Sequence, residues 1–172
     1  MGLLDFGKKK EEENKKRGFV GFVLLSDESF DIKKQAEYLG AGLGTDVPCE
    51  ESDNIIVTEY KGCMVSLMFL PKPVPDGEAE YFARGNYMWK DGEETVKNHK
   101  AQIIVSVMGG DNAIEAGKIF VKTVLAALRQ ENAIAVYTDG AVHEPNFYRE
   151  AAKALDNDDL PIMNWIWFGV YA

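Results

Sequence analysis

Apolar and polar residues follow two different periods along this chain. Short apolar runs rich in β-branched and aromatic residues predict strands, and apolar positions three or four residues apart predict helices. The strand pattern recurs between residues 18 and 171, and helical segments separate most of its occurrences. The predicted strands are 18–25, 54–60, 63–70, 101–108, 133–138 and 163–171, and the predicted helices are 31–39, 78–88, 113–130 and 145–155.

Polar residues and glycines mark where several of these elements begin or turn. Asp31 lies at the start of the first helix, and either Asp111 or Asn112 precedes the third, where such side chains cap a helix. Lys61 and Gly62 are the only residues between the second and third strands, which predicts an antiparallel hairpin. The third strand is apolar on both faces, which predicts a position inside the sheet.

The predicted order of elements is β-α-β-β-α-β-α-β-α-β. Its first six elements match the split β-α-β pattern of ferredoxin-like folds, and the last four add two helix–strand units. The predicted fold class is therefore α+β, with one mixed sheet of about six strands and helices packed on it. The last predicted strand, 163–171, is apolar on both faces, so helices or a partner should cover both of its sides.

The length of 172 residues fits one folded domain. Residues 1–17 form a charged arm with six basic and four acidic residues, and residues 18–172 form a single globular domain. No apolar run is long enough for a signal peptide or a membrane span. The sequence therefore predicts a cytoplasmic protein without a membrane-spanning segment.

The net charge of −9 is unevenly distributed. The arm carries +2, which leaves −11 on residues 18–172. Proteins that bind nucleic acid usually present a basic face, so this balance argues against nucleic acid as a partner. It favours a basic protein partner, because complementary fields increase the rate of association.

Few residues are available for metal or redox chemistry. The chain has two cysteines, Cys49 and Cys63, and two histidines, His99 and His143, without the spacing of a metal site. Cys63 begins the third strand and is predicted to be a core residue. The sequence contains no P-loop, dinucleotide-binding fingerprint, HExxH, nucleophile elbow or CxxC. We therefore predict no cofactor and no metal.

Three groups of residues remain candidates for binding or chemistry. Glu78 and Glu80 begin the second helix, where they either contribute to a site or interact with the helix dipole. His143 beside Glu144 fits either an acid–base pair or helix capping and packing, and His99 has the same two interpretations. Aromatic residues in the second half either fill the core or anchor an interface. The candidate binding or pocket residues are Glu78, Glu80, Asn86, Trp89, His99, Tyr137, His143, Glu144, Tyr148, Asn164 and Trp165.

Segments across residues 18–171 resemble the bacterial domain of unknown function 4261 family. The most specific of them are GEAEY, NYMW and NWIWFG. The resemblance implies a small bacterial cytoplasmic protein, and some family members occur beside secreted-toxin systems. It implies no catalytic residue, because the family has no established activity. The residues that match its recurring positions are Glu78, Glu80, Tyr81, Asn86, Tyr87, Trp89, His99, Tyr137, Pro145, Tyr148, Asn164 and Trp165.

These observations favour a non-enzymatic protein-binding module, with an immunity-type neutraliser of a toxin or effector as its specific form. One alternative is a small-ligand-binding protein or hydrolase-like enzyme with a pocket of Glu, His and aromatic residues. That alternative requires His99 and His143 to converge in one pocket. A further alternative is a structural homo-oligomer joined through the two-faced last strand.

Overall fold

The computed structural model describes residues 18–48 and 54–169. The predicted arm, residues 1–17, and Cys49 lie outside this part of the chain. The strands are β1 (Gly18–Leu25), β2 (Ile55–Tyr60), β3 (Cys63–Leu70), β4 (Ala101–Gly109), β5 (Ala133–Thr138) and β6 (Ala141–His143). The helices are α1 (Ile32–Leu43), α2 (Glu78–Arg84), α3 (Gly92–Val96), α4 (Ala113–Ala127), α5 (Pro145–Ala152) and α6 (Ile162–Trp165), with short 3₁₀ helices at Pro75–Gly77 and Lys153–Asn157.

The strands form one sheet in the order β2-β3-β4-β1-β5-β6. This confirms the α+β class, the single domain and the number of six strands, although only five of them are predicted ones, and it places β3 inside the sheet as predicted. The ferredoxin-like start is wrong in topology: two strands, β3 and β4, separate β1 from β2, which run antiparallel, whereas a split β-α-β unit has one strand between two parallel ones. Every ladder among the described strands is antiparallel, so the sheet is not mixed. The reason is that β4 and β5 flank β1 on its two sides, so these two parallel strands are never neighbours.

The ends of the helices follow local side-chain chemistry. The Asp31 carboxylate accepts a hydrogen bond of 3.1 Å from the backbone N–H of Lys34, and Asn112 caps α4 by accepting from the N–H of Ile114. Helix α1 passes through Gly40 and ends later than predicted, at Leu43. Its end is set by Gly44, which adopts a left-handed φ of 72° and donates its N–H to the carbonyl of Gly40.

Two tight hairpins have the same turn chemistry. Lys61 and Gly62 have φ values of 49° and 75°, and Asp139 and Gly140 have φ values of 46° and 73°. Positive φ at both central residues is typical of the type I′ turn that joins two-residue hairpins. The first hairpin confirms the prediction. The second was not predicted, because β6 has only three residues and shows no alternating pattern.

The predicted last strand at 163–171 is wrong for the residues that the structure describes. Residues 162–165 form α6, residues 166–169 pair with no strand, and residues 170–172 lie outside the described part. The Asn164 side chain donates to the carbonyl of Tyr148, and the Trp165 indole donates to that of Gly117. These contacts hold the segment against α5 and α4. A homo-oligomer joined through this strand is therefore not supported.

The two sides of the sheet are covered unequally. On one side, here called the helix-covered side, α1, α4 and α5 pack over nearly the whole sheet. On the other side, the short helices α2 and α3 form a smaller core with residues of β1, β5 and β6, here called the α2–α3 cluster. No described helix packs over the same side of β2 and β3.

Candidate functional site

The uncovered part of the sheet exposes a continuous group of apolar side chains. In β3, Cys63, Val65 and Leu67 are buried on the helix-covered side, whereas the alternate residues Met64 and Met68 are exposed on the other side. Residues opposite each other in an antiparallel ladder share a side of the sheet, so the register extends this group into the neighbouring strands. We call this surface the open face, and its exposed apolar residues are Val20, Ile55, Val57, Met64, Met68 and Met108.

These six side chains are 38–53% exposed, so about half of each contacts solvent. Met64 lies opposite Met108, and Met108 in turn lies opposite Gly18, where a Cβ would collide with the methionine sulfur. The methionine side chain therefore lies across the backbone of β1. This arrangement makes that corner of the open face flat and apolar.

The open face has little polarity of its own. Ser66 and Ser106 are opposite each other near its centre, and one hydroxyl donates to the other across 2.7 Å. Among the residues of β1 to β4 on this side, Glu59 is the charged one, and it lies on the outermost strand β2. A partner could therefore cover the centre of this face without burying a charge.

Six of the eleven sequence candidates lie in or beside the α2–α3 cluster: Glu78, Glu80, Asn86, Trp89, His99 and Tyr137. The Tyr137 hydroxyl donates a 2.6 Å hydrogen bond to the Glu78 carboxylate. Burial, and secondarily the Glu78 carboxylate, raise the pKa of Tyr137. This pair therefore fastens the first turn of α2 to β5.

His99 is fully engaged by the backbone. Its Nε2 accepts a 2.9 Å hydrogen bond from the N–H of Val74, and its Nδ1 lies 2.6 Å from the carbonyl oxygen of Val96. These partners assign the hydrogen to Nδ1, which leaves no ring nitrogen free for a substrate. Glu80 lies farther away, with its Oε1 4.0 Å from Nδ1. We interpret His99 as a structural residue that connects the two ends of the segment carrying α2 and α3.

Asn86 and Trp89 shape the connection between α2 and α3. The Asn86 amide donates to the carbonyl of Val142, and its oxygen accepts from the N–H of Met88. A Cβ at Gly92 would lie 2.9 Å from the Trp89 ring, so glycine at this position leaves room for the indole to pack against the backbone. Both candidates therefore have structural roles, and helix α2 ends at Arg84, before the predicted position.

Four other candidates lie on the helix-covered side: His143, Tyr148, Asn164 and Trp165. His143 is opposite Val136 in the β5–β6 ladder and packs against the rings of Phe147, Tyr148 and Trp167. Burial lowers the pKa of His143 to about 4. Its Nδ1 and the Tyr148 hydroxyl are buried and have no hydrogen-bond partner among the residues that the structure describes.

The two histidines are therefore on opposite sides of the sheet. His99 belongs with Val74 and Val96 in the α2–α3 cluster, whereas His143 shares the side of Val136. Glu144 is the N-cap residue of α5, and its side chain makes no capping bond. The single pocket predicted to combine these groups is not formed, because His99 is held by Val74 and Val96 in the α2–α3 cluster, whereas His143 lies on the helix-covered side.

Asn164 and Trp165 line a cavity of about 320 Å³ with Phe19, Phe120 and Asp139 among its other walls. The remaining nine sequence candidates lie outside it.

Within residues 18–48 and 54–169, no group of three or more His, Cys, Asp and Glu side chains is arranged to hold a metal ion. Cys63 is buried as predicted, and burial raises the pKa of its thiol.

Comparison with known protein families, with curated proteins and with solved structures finds no match to this chain. The resemblance to the domain of unknown function 4261 family therefore stays a prediction. None of the helices in the described residues has both the length and the hydrophobicity needed to cross a bilayer.

The open face was missed by the sequence analysis. The apolar character of both faces of β3 correctly indicated a strand inside the sheet, but it did not show that none of the described helices covers one of these faces. The two sets of alternate residues in β3 differ in composition, and this difference could have indicated which face is covered. One set contains Val65 and Leu67, which are typical core residues, while the other contains Met64, Ser66 and Met68.

Proposed function

We propose that this protein is a non-enzymatic protein-binding module and that the open face is its binding surface. The observation that carries this proposal is the set of six apolar side chains exposed on one uncovered side of β1 to β4. Soluble monomers rarely expose contiguous apolar patches of more than a few hundred Å², and larger ones mark interaction sites.

The chemistry of the face suits binding to a protein rather than to a small polar ligand. Its exposed side chains are mainly apolar, and its charged residue, Glu59, lies on the outermost strand. Met64, Met68 and Met108 have flexible thioether side chains that adapt to different partner surfaces. Burying apolar surface contributes about 25 cal/mol per Å² to a complex, against an association cost of about 4–15 kcal/mol, so the affinity depends on how much of this face the partner covers and how well it fits.

Charge supports a specific class of partner. Residues 18–172 carry −11, and an acidic protein attracts a basic partner from a distance. In this proposal the open face supplies most of the affinity, and the acidic field increases the rate of association. An immunity-type neutraliser of a basic toxin or effector is the specific form of this function, in line with the family resemblance.

The test is capture of a partner from a lysate of the source organism with three forms of the immobilised protein. Met68→Lys places a charge on the open face, and Met163→Lys makes the same substitution at an equally exposed site on α6, with 38% and 39% exposure respectively. We expect the unmodified protein and Met163→Lys to retain a stoichiometric basic protein that increasing NaCl releases, and Met68→Lys to lose it.

Two outcomes would contradict the proposal. One is the absence of any stoichiometric protein on the unmodified chain. The other is equal retention by all three forms, which would place the binding surface away from the open face. Circular dichroism of the two variants controls for folding, because both substitutions are at exposed positions and should leave the spectrum unchanged.

A further inference from the structure

We propose that a second copy of this chain covers the open face when the protein partner is absent, so that the free protein is a symmetric dimer packed sheet against sheet. This inference rests on the proposed function, since it takes the open face to be an interaction surface. It adds a regulatory consequence: self-association and partner binding compete for the same residues.

The open face is suited to pairing with itself. In a twofold dimer the same patch meets its own copy, so any charge at the centre would meet a like charge. The centre here holds Met64, Met68 and the Ser66–Ser106 pair, while Glu59 lies on the outermost strand. Two copies can therefore approach without placing like charges together at the centre of the interface.

Most polar groups at the centre are already paired. One of the Ser66 and Ser106 hydroxyls donates to the other at 2.7 Å, and the backbone groups of β3 and β4 are paired in the ladders on both sides of each strand. Burying an unpaired polar group costs about 1–3 kcal/mol, and at the centre this cost is limited to the one serine O–H that does not take part in that hydrogen bond. Packed sheets lie about 10 Å apart, a distance that interdigitating methionine side chains can fill.

The size of the face indicates a weak dimer. Stable interfaces bury about 800 Å² on each partner, whereas the open face offers six side chains that are already about half buried. An interface at the lower end of this range exchanges readily. A second copy would therefore protect the apolar surface and still allow a better-fitting partner to replace it.

The dependence on salt concentration distinguishes dimerisation from binding to a basic partner. Each copy carries −9, so two copies repel each other outside the apolar contact. Added salt screens that repulsion, because the screening length is about 10 Å at 0.1 M and about 3 Å at 1 M. Dimerisation should therefore strengthen with NaCl, whereas association with a basic protein should weaken.

The first experiment measures the molar mass of the full chain by sedimentation equilibrium, from about 1 µM to about 1 mM, the range for weak association. We expect a monomer–dimer equilibrium whose dissociation constant falls as NaCl increases. Met68→Lys should weaken dimerisation about tenfold, because each copy then buries an ammonium group at the interface. Met163→Lys should leave the dissociation constant unchanged.

The second experiment needs no variant and follows methionine oxidation by hydrogen peroxide with mass spectrometry. At high protein concentration Met64, Met68 and Met108 should oxidise more slowly than at low concentration. Met88 and Met163 are also exposed but lie outside the open face, so their rates should not depend on concentration.

A monomer at every concentration and salt, or oxidation rates independent of concentration, overturns the dimer. An equal effect of Met68→Lys and Met163→Lys on dimerisation does the same. These results leave the proposed function intact if Met68→Lys still abolishes capture of the basic partner. Conversely, a salt-strengthened dimer without any captured partner supports the dimer and contradicts binding of a second protein.

Discussion

The helix-covered side and the open face are built from the same strands, yet they differ in what lies over them. In β3, Val65 and Leu67 are buried beneath α1 and α4, while Met64 and Met68, one position away, are exposed. Both sets are apolar, so the sequence of the strand makes little distinction between them. The hydrophobicity of a strand residue therefore shows that the residue is suited to burial, whereas the connections between strands decide whether the chain itself buries it.

The largest difference between the two sides should appear on truncating neighbouring residues of β3. Leu67→Ala should lower the free energy of unfolding by about 2–5 kcal/mol, because it removes a side chain that is 1% exposed and leaves a cavity. Met68→Ala should lower it by less than about 1 kcal/mol, since the open face already contacts solvent. Urea denaturation measures both. Similar losses for the two variants would show that the open face is covered in solution.

The helix-covered side should also make stability depend on pH through His143. Its pKa is about 4 in the folded protein and about 6.5 when unfolded, so the unfolded chain binds the extra proton between these values. Stability should therefore be fully present above about pH 6.5 and should fall by about 2–3 kcal/mol as the pH decreases to about 4.

His143→Phe is the matched variant for this effect, because a phenyl ring keeps the packing with Phe147 and Trp167 and cannot titrate. Its unfolding free energy, measured in urea from pH 7 to pH 4, should decrease less steeply than that of the unmodified protein. Parallel curves for the two proteins would show that His143 is not the group responsible.

Close packing on the helix-covered side should give two helical glycines opposite responses to alanine. Gly117→Ala should destabilise the protein by about 1–3 kcal/mol, because the added Cβ would lie 2.9 Å from the Trp165 ring. Gly42→Ala should stabilise it by about 0.5–1 kcal/mol, because its Cβ meets no atom closer than 3.6 Å. Thermal unfolding, followed by circular dichroism, distinguishes the two variants. A neutral Gly117→Ala would mean that α6 does not pack on α4 as described.

The effect expected in the α2–α3 cluster is also small. Tyr137→Phe removes the hydrogen bond to Glu78 and should lower the free energy of unfolding by about 1 kcal/mol, since the Glu78 carboxylate is exposed and regains water. Tyr81→Phe is the control, because that ring is 67% exposed and the loss should be undetectable. Urea denaturation compares the two variants, and equal losses would mean that the Tyr137–Glu78 contact contributes nothing.

Most secondary structure elements were predictable because their signals are local. Asp31, Asn112 and the pair Lys61 and Gly62 act on residues within four positions, and the structure confirms their caps and turn. The error at residues 163–169 has a different origin. Alternating aromatic residues there resemble a strand, but the Trp165 indole bonds to Gly117, which is 48 positions away.

The candidate site was predicted less well than the fold. Residue type suggested His99 and His143 as members of one pocket, yet His99 is held by Val74 and Val96 while His143 lies across the sheet. The open face contains none of the eleven candidate residues. Its methionines and valines have no reactive groups, so a search for catalytic or ligand-binding chemistry passes over them.

Residue types and local patterns were sufficient to predict the α+β class, strands β1 to β4, helices α1 and α2, the caps of α1 and α4 and the acidity of the body, because each depends on residue type or on neighbours within a few positions. Only the tertiary structure decided that β1 lies between β4 and β5, that the histidines are separated, and that α2 and α3 leave part of the sheet uncovered. These features arise from contacts between distant segments. A period-two pattern assigns residues to one face or the other, but it does not indicate which face another element will cover.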